Sequence, residues 1–454
     1  MPDFEVLEEF VRERMRRTRL PGVSLALVRG EEVVYARGFG FRDIAKSLPA
    51  TPTTAYGIGS VTKSFTALGI MQLVDAGKLS LEDPVEKFLP LKIRPFGEPI
   101  RVWHLLSHTA GIPALAYAEA ELRWEQGTGG KPLSMATVDD FVAWINGAAD
   151  WVETKPGERW FYLNEGYILL GGIIEKLSGL SYAEYVRKKI LEPLEMRNTG
   201  FLGEEVPELA TPYVVPQEGQ PRPGKIRPIP IGSDGALVST VLDLAKYLGM
   251  WLRRGAPLVS EKSYEELVQP RVPMPSEPRW PEPVGQAFYA LGLSVQKFFG
   301  RTLIGHGGSV LVYTAHIGFV PEEKVGVAVL ANGSGYPMAQ FAQAALALLL
   351  GESFEKLPFV RLEALAEKIL GFYVTYRDTM RVSVRLRGGA VELVVEDREA
   401  PLTVVLALEE IGEGEVRFRA LLGDRTLPVV FRVKGKETEL IYERYKLRRI
   451  APLG

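Results

Sequence analysis

Gly59-Ser60-Val61-Thr62-Lys63, followed by the apolar run Phe65, Ala67, Leu68, Ile70, Met71, Leu73 and Val74 up to Gly77, is the stretch on which the reading of this chain turns. The apolar residues occupy most sides of a helix, so the segment is expected to be buried, with Gly77 supplying the C-cap. Positions three apart share a helix face, which brings Lys63 within hydrogen-bond reach of the Ser60 hydroxyl. A serine needs an adjacent base to become a nucleophile, and a lysine partly desolvated in such a helix has the required chemistry. At a helix start the Ser60 amide is one of the unpaired donors and can face a developing oxyanion.

Two other readings compete at this segment. Ser60 can serve as a simple N-cap with Lys63 solvated in the first turn. Gly57 to Ser64 also matches the phosphate-loop pattern G-x-x-x-x-G-K-[ST] except at Thr62, where a glycine is required for backbone approach to phosphate. That mismatch argues against nucleotide binding.

The 454 residues, 46% hydrophobic, suffice for one large domain and a smaller one. A formal charge of −2 and the absence of a basic stripe interleaved with aromatics speak against nucleic acid as a partner. Met1-Pro2-Asp3-Phe4-Glu5 is acidic and carries no apolar leader, and no stretch reads as a membrane helix, so a cytoplasmic protein is expected. With no cysteine, disulfides, thiolate metal sites and a cysteine nucleophile are all excluded. The four histidines, His104, His108, His306 and His316, form no His-Glu-x-x-His, so neither a metal nor a cofactor is expected. Asparagine occurs only four times, which fits the depletion of thermolabile amides in heat-adapted proteins.

Outward from the Ser60 helix, residues 5–17 read as a charged amphipathic helix, and Val23–Val28 with Val33–Arg37 as a hairpin around Arg29-Gly30-Glu31-Glu32. Helices and loops run to about residue 190, including Tyr167–Leu177 ended by Gly179. Strands return at Phe288–Val295, Arg301–Ile304, Tyr313–Phe319 and Val325–Ala331, and Met338–Leu350 closes as a helix before Gly351. Strands at both ends with a helical region between them predict one mixed sheet flanked by helices. Thr211–Pro230 and Pro270–Pro283 are proline-dense and expected to be surface loops, of the kind that cover sites. After residue 352 the texture changes. A short helix at Leu362–Leu370 precedes alternating strands with turn signals at Arg387-Gly388-Gly389, Gly412-Glu413-Gly414, Gly423-Asp424 and Lys434-Gly435-Lys436. The expected division is residues 1–352 and a small antiparallel β-barrel over 353–454.

Two further segments bear on Ser60. Tyr162-Leu163-Asn164 lies in a loop before an apolar helix, and a strand from Leu303 ends at His306-Gly307-Gly308-Ser309. Each alone is explained by packing or turn formation. In this order, together with Ser60-Val61-Thr62-Lys63, His104-Leu105-Leu106-Ser107-His108-Thr109-Ala110-Gly111-Ile112 and the segment Gly232 to Leu248, they resemble the serine β-lactamase and penicillin-binding-protein family, in its class C-like branch of peptidases and esterases. The resemblance covers residues 5–350. It implies a β-lactamase-like α/β fold with a mixed antiparallel sheet and an inserted helical region. It implies Ser60 as acylated nucleophile, Lys63 as its base or proton relay, Tyr162 as the second acid/base group and Asn164 as a ligand for a substrate amide. Lys63 and a protonated His306 are the cations available to favour a Tyr162 phenolate, and the Ser309 amide is the expected second oxyanion donor.

The family's penicillin hydrolases carry Lys-Thr-Gly where this chain has His306-Gly307-Gly308, so efficient penicillin turnover is not expected. Relatives with histidine there resemble D-amino-acid peptidases or esterases. A metal-independent serine hydrolase for small peptides is therefore expected, with a carboxylesterase and a catalytically silent scaffold as alternatives. The tail, with Gly371-Phe372-Tyr373 opening its first strand, is similar to the lipocalin-like barrel appended to archaeal peptidases of this type, which form cage-like homo-oligomers. His104, His108 and His316 are expected to be structural, and Arg377, Arg381 and Arg385 to be a solvated strand face.

Overall fold

The computed structural model describes residues 3–453 apart from 134, 217–218, 227, 230, 276–281, 311, 388–389, 397–401 and 413. The described residues divide into two compact units, Met1–Phe354 and Glu355–Gly454.

In the first unit, helix α1 (Phe4–Thr18) starts on an Asp3 side-chain cap and ends on Arg19 in the left-handed region. The hairpin β1 (Gly22–Arg29) and β2 (Glu32–Asp43) follows, then the two-residue β3 (Leu48–Pro49). Seven of the eight β1 residues are buried, which marks it as a central strand covered on both faces. The inserted region holds helices α2 (Thr62–Asp75), α3 (Val102–Leu106), α4 (Tyr117–Glu125), α5 (Asn164–Ser178) and α6 (Val241–Leu252). The remaining strands are β4 (Val272–Pro273), β5 (Val284–Tyr289), β6 (Ser294–Phe298), β7 (Arg301–Val310), β8 (Tyr313–Val320) and β9 (Val325–Ala331), and helix α7 (Met338–Leu349) completes the unit.

The nine strands form one sheet in the order β3-β2-β1-β9-β8-β7-β6-β5-β4, with neighbouring strands antiparallel. The two ends of the unit meet where β1 pairs with β9, from Val23 opposite Ala331 to Arg29 opposite Val325. Helix α2 is buried on nearly all sides, with Phe65 stacked flat on Tyr247 of α6 at 4.0 Å between ring centroids. This all-round burial follows from its nearly continuous apolar sequence and holds its N-terminal turn rigid.

Three expectations need correction. Phe288–Val295 is not one strand: β5 ends at Tyr289, and Ala290–Leu293 turn back through Gly292 at φ +79°, with Ala290 N donating to Leu293 O at 2.8 Å. The strand carrying His306 does not end at the glycines but runs on to Val310, because its ladder with β8 continues through them to the Val310–Tyr313 pair. Ser60 lies not in the α-helix itself but in a single 3₁₀ turn, Gly59–Val61, that leads into α2. The proline-dense segments are described only in part, since residues 217–218, 227, 230 and 276–281 lie outside the described residues, as do Gly388, Gly389 and Glu413 of two expected turns.

The second unit opens with helix α8 (Pro358–Ile369) and closes eight strands from Gly371–Val374 to Tyr445–Ala451 into an antiparallel barrel. Its interior is filled by Val382, Val384, Leu393, Phe418, Phe431 and Leu447 among others, each at most 3% exposed. Eight strands leave a lumen just wide enough for such side chains, so the barrel is packed.

Candidate active site

The 3₁₀ turn at Gly59–Val61 is pinned by the close approach of β7. A Cβ at Gly308 would stand 1.9 Å from the Ile58 carbonyl oxygen and 3.1 Å from the Ser60 nitrogen. A Cβ at Gly59, whose φ is +51°, would stand 2.5 Å from the Ser309 nitrogen. Both positions admit only glycine, and the contact brings the main chain at Ser309 beside the main chain at Ser60.

Lys63, one turn along, is fully buried. Its Nζ lies 3.0 Å from Ser60 Oγ, 2.8 Å from Asn164 Oδ1 and 2.7 Å from the Asp234 carbonyl oxygen. An ammonium has three protons for these three acceptors, whereas a neutral amine keeps two and accepts one from the Ser60 hydroxyl. Both states therefore fit the same positions of heavy atoms. With Asn164 Oδ1 taken by Lys63, only its Nδ2 is left to meet a ligand.

Tyr162 lies in the loop before α5, with Lys63 Nζ 4.9 Å from its ring centroid. His108 organises that loop. Its carbonyl accepts from Phe161 N at 2.8 Å, its Nδ1 accepts from Leu163 N at 3.0 Å, and its ring packs on the Tyr162 ring at 4.1 Å between centroids. Burial, and then the Lys63 charge, push its pKa well below the usual histidine value, so the ring is neutral, as an accepting Nδ1 requires. The sequence reading left His108 as structural, and its grip on Tyr162 depends on contacts about fifty residues apart that no local pattern encodes.

His306 lies 6.3 Å from Tyr162 between ring centroids. Its Nδ1 is 2.5 Å from the Gly307 carbonyl, which can only accept, so Nδ1 carries the proton and Nε2 accepts from the Tyr289 hydroxyl at 2.8 Å. Burial, with a contribution from Lys63, lowers its pKa to about 3. The protonated His306 expected from the sequence is thus corrected to a neutral ring, since taking an imidazolium out of water beside an ammonium is unfavourable. His316, opposite Gly307 in the register, is half-buried, and desolvation lowers its pKa to about 4. His104 accepts from Arg101 N through Nδ1 and lies on α3.

Ser60, Tyr162, Asn164, His306, Gly307, Gly308 and Ser309 all line one cavity of about 1010 Å³. Its walls also include Tyr117 and Phe141, packed edge to face at 4.7 Å, and the charged residues Glu119, Glu121, Arg123 and Asp234. Sequence reasoning missed Tyr117, Asp234 and Glu165. The Tyr117 hydroxyl donates to Asp234 Oδ2 at 2.6 Å, and Glu165 Oε1 accepts from Tyr117 N at 3.4 Å. Among the described residues no group of histidines and carboxylates is arranged to hold a metal ion, and no helix is long and apolar enough to cross a membrane.

Residues 7–352 match the Beta-lactamase family. The chain belongs to that family. Residues 354–448 match the Pab87 octamerisation domain. The octameric penicillin-binding protein homologue from Pyrococcus abyssi is similar over 98% of this chain and 100% of its own, at 44% identity and a TM-score of 0.92. Protein flp of Staphylococcus aureus (strain COL) is 32% identical over 198 residues, 43% of this chain and 38% of that protein. Penicillin-binding protein 4* of Bacillus subtilis (strain 168) is 34% identical over 176 residues, 37% of this chain and 36% of that protein. The chain therefore matches little more than a third of the length of these two relatives. The β-lactamase family is one of serine hydrolases, and this fold, an antiparallel sheet flanked by helices with a closed barrel appended, is shared with the archaeal homologue over its whole length.

Proposed function

We propose that this protein is a metal-independent serine hydrolase that forms an acyl-enzyme on Ser60, acting on short peptides, including those with D-amino acids. The observation that carries this reading is the triple hold on Lys63 Nζ, which fixes a lysine against the Ser60 hydroxyl at the floor of a large cavity. Lys63 takes the proton as Ser60 Oγ attacks the scissile carbonyl. The amides of Ser60 and Ser309, brought side by side by the glycine contacts, receive the oxyanion. Tyr162, with the Lys63 charge over its ring, passes the proton to the leaving group and later draws one from water. Asn164 Nδ2 is the donor left for a substrate carbonyl.

A carboxylesterase is the second reading, favoured by the neutral His306. With no fixed cation at the third motif, the site does not demand an anionic substrate end. The packed barrel and its match to an octamerisation domain support a homo-oligomer. The test is intact-mass spectrometry after treatment with a fluorophosphonate, alongside hydrolysis of p-nitrophenyl esters and D-aminoacyl peptides. Wild type is expected to gain one adduct per chain and Ser60→Ala none. A stoichiometric adduct on Ser60→Ala would remove the assignment.

A further inference from the structure

Lys63 is buried, yet all three of its partners are uncharged oxygens, and among the described residues no carboxylate is in direct ion-pair contact with Nζ. A buried ammonium without a counter-ion is costly. Asp234 presents the complementary problem. Its carbonyl oxygen accepts from Nζ, while its carboxylate is buried, with Oδ2 taken by the Tyr117 hydroxyl and Oδ1 left without a partner. A buried carboxylate oxygen with no donor is also costly unless a positive charge stands near it. Lys63 as an ammonium lacks an ion pair, Asp234 as a carboxylate lacks a cation in contact, and one hydrogen bond through the Asp234 main chain fixes the two together.

We propose that Asp234 is a positioning residue for Lys63, a fixed counter-charge held in place by Tyr117, which decides at what pH the lysine yields its base form to Ser60. This rests on the reading of Ser60 and Lys63 as nucleophile and base. The groups around the pair are Tyr117 and Glu119 from α4, Glu165 and Tyr167 from α5, Tyr182, and on the far side of Lys63 the ring of Tyr162, His108, Tyr289 and His306. Both histidines are neutral near pH 7 and set no further charge against Lys63, whereas the Lys63 charge acts on the Asp234 carboxyl. Burial pushes the Asp234 carboxyl up, and the Lys63 charge and the Tyr117 hydroxyl act against that rise. Glu165, pushed up to about 7 by burial with Asp234 and Glu119 adding to it, gives up part of its own charge in the same region. An anion beside an ammonium favours the protonated form, so removing the Asp234 charge favours the base form.

The test follows the rate of Ser60 labelling by a fluorophosphonate from pH 5 to 10 on the full-length protein, read by intact mass. Asp234→Asn is nearly isosteric and keeps an acceptor for Tyr117 but removes the charge. Its rising limb should lie about one pH unit or more below that of wild type, so that labelling one unit below the wild-type midpoint is several-fold faster. Tyr117→Phe keeps the carboxyl but frees Oδ2 from the hydroxyl that holds it and favours its anion, and should move the limb in the same direction by less than Asp234→Asn. Should Asp234→Asn melt below the assay temperature, Asp234→Ser removes the charge without added bulk and carries the same expectation. A limb that stays put or moves to higher pH overturns the proposal, as does a uniform loss of rate at every pH, which is what a merely structural role would give. Wild type that takes no label at any pH removes the serine reading itself, and this inference with it, whereas labelled wild type with an unmoved variant limb removes only this one.

Discussion

Gly308→Ala isolates the contact on which the site's geometry depends. The added Cβ would stand 1.9 Å from Ile58 O, 2.9 Å from Ile58 C and 3.1 Å from Ser60 N. An ordinary C···O approach is about 3.3 Å or more, so β7 and the Ser60 turn must part by more than ~1 Å. Both partners are backbone, the turn anchored by buried α2 and the strand by its neighbours, so neither has a side chain to rotate away. Overpacking of this kind costs about 1–3 kcal/mol of stability, and a displacement of ~1 Å at the reacting groups costs roughly 10²-fold in rate. The assay is the second-order rate of fluorophosphonate labelling, with melting temperature measured in parallel. Gly307→Ala is the control, because its Cβ would meet nothing closer than His316 Nδ1 at 3.6 Å, an ordinary contact. Gly308→Ala labelling within twofold of wild type, or Gly307→Ala equally impaired, would refute the claim that close approach of these two backbones builds the oxyanion site.

Three further outcomes are expected. His108→Phe keeps a ring against Tyr162 but removes the acceptor for the buried Leu163 amide, which should cost about 1–3 kcal/mol and lower ester kcat/KM at least tenfold; unchanged kcat/KM would mean His108 does not hold Tyr162 in place. Stability should climb with pH between about 4 and 6.5, because His104, His306 and His316 are neutral when folded, at pKa values of about 4, 3 and 4, and take up protons on unfolding. Glu165 opposes this: its folded pKa of about 7 exceeds the usual carboxyl value, so between about 4.5 and 7 it weakens the folded state as pH rises, and Glu165→Gln should steepen the climb in a melting-temperature series; a flatter climb contradicts the sign. On the barrel, Val405 and Leu421 are cross-strand partners that both point outward, 42% and 49% exposed, and replacing both with lysine should shift the native mass towards smaller species, whereas an unaltered mass excludes this face from the assembly.

What the sequence revealed and what it hid divide along the range of the interactions. Ser60 and Lys63 are one helical turn apart, and Tyr162 and Asn164 two residues apart, so short patterns expose them. Burial of α2 was legible because its apolar residues leave no polar stripe, and the barrel was legible from alternation and turns. Asp234, Tyr117 and His108 reach the site through contacts 55 to 171 residues long; His108 and Asp234 lie in segments that carry the resemblance, yet no local pattern singles out these three residues or their partners. The charge of His306 was misread for a related reason: its pKa depends on burial beside Tyr289 and Tyr162 and on the Lys63 charge, which is tertiary information. The turn at Ala290–Leu293 was hidden within a continuous β-rich run, where only Gly292 signals the break.

The neutral His306 bears on which acyl donors the cavity can accept. Where the family's penicillin hydrolases are expected to carry Lys-Thr-Gly, this chain carries His306-Gly307-Gly308. Here both ring nitrogens are already engaged, Nδ1 with the Gly307 carbonyl and Nε2 with the Tyr289 hydroxyl, so the ring has neither a charge nor a free donor to offer. The charged residues that line the cavity add to this, for Glu119, Glu121, Glu125 and Asp234 stand against Arg123, and a substrate anion entering there meets a repulsive field. Tyr117, Phe141, Leu122, Leu133 and Met135 give the same cavity an extended apolar wall. Under the proposed acyl-enzyme function, complementarity then favours an acyl donor that is uncharged or positively charged and carries an apolar side chain. Such a donor gains from burial against that wall without having to desolvate a carboxylate, a cost that the neutral His306 ring carries no charge to offset.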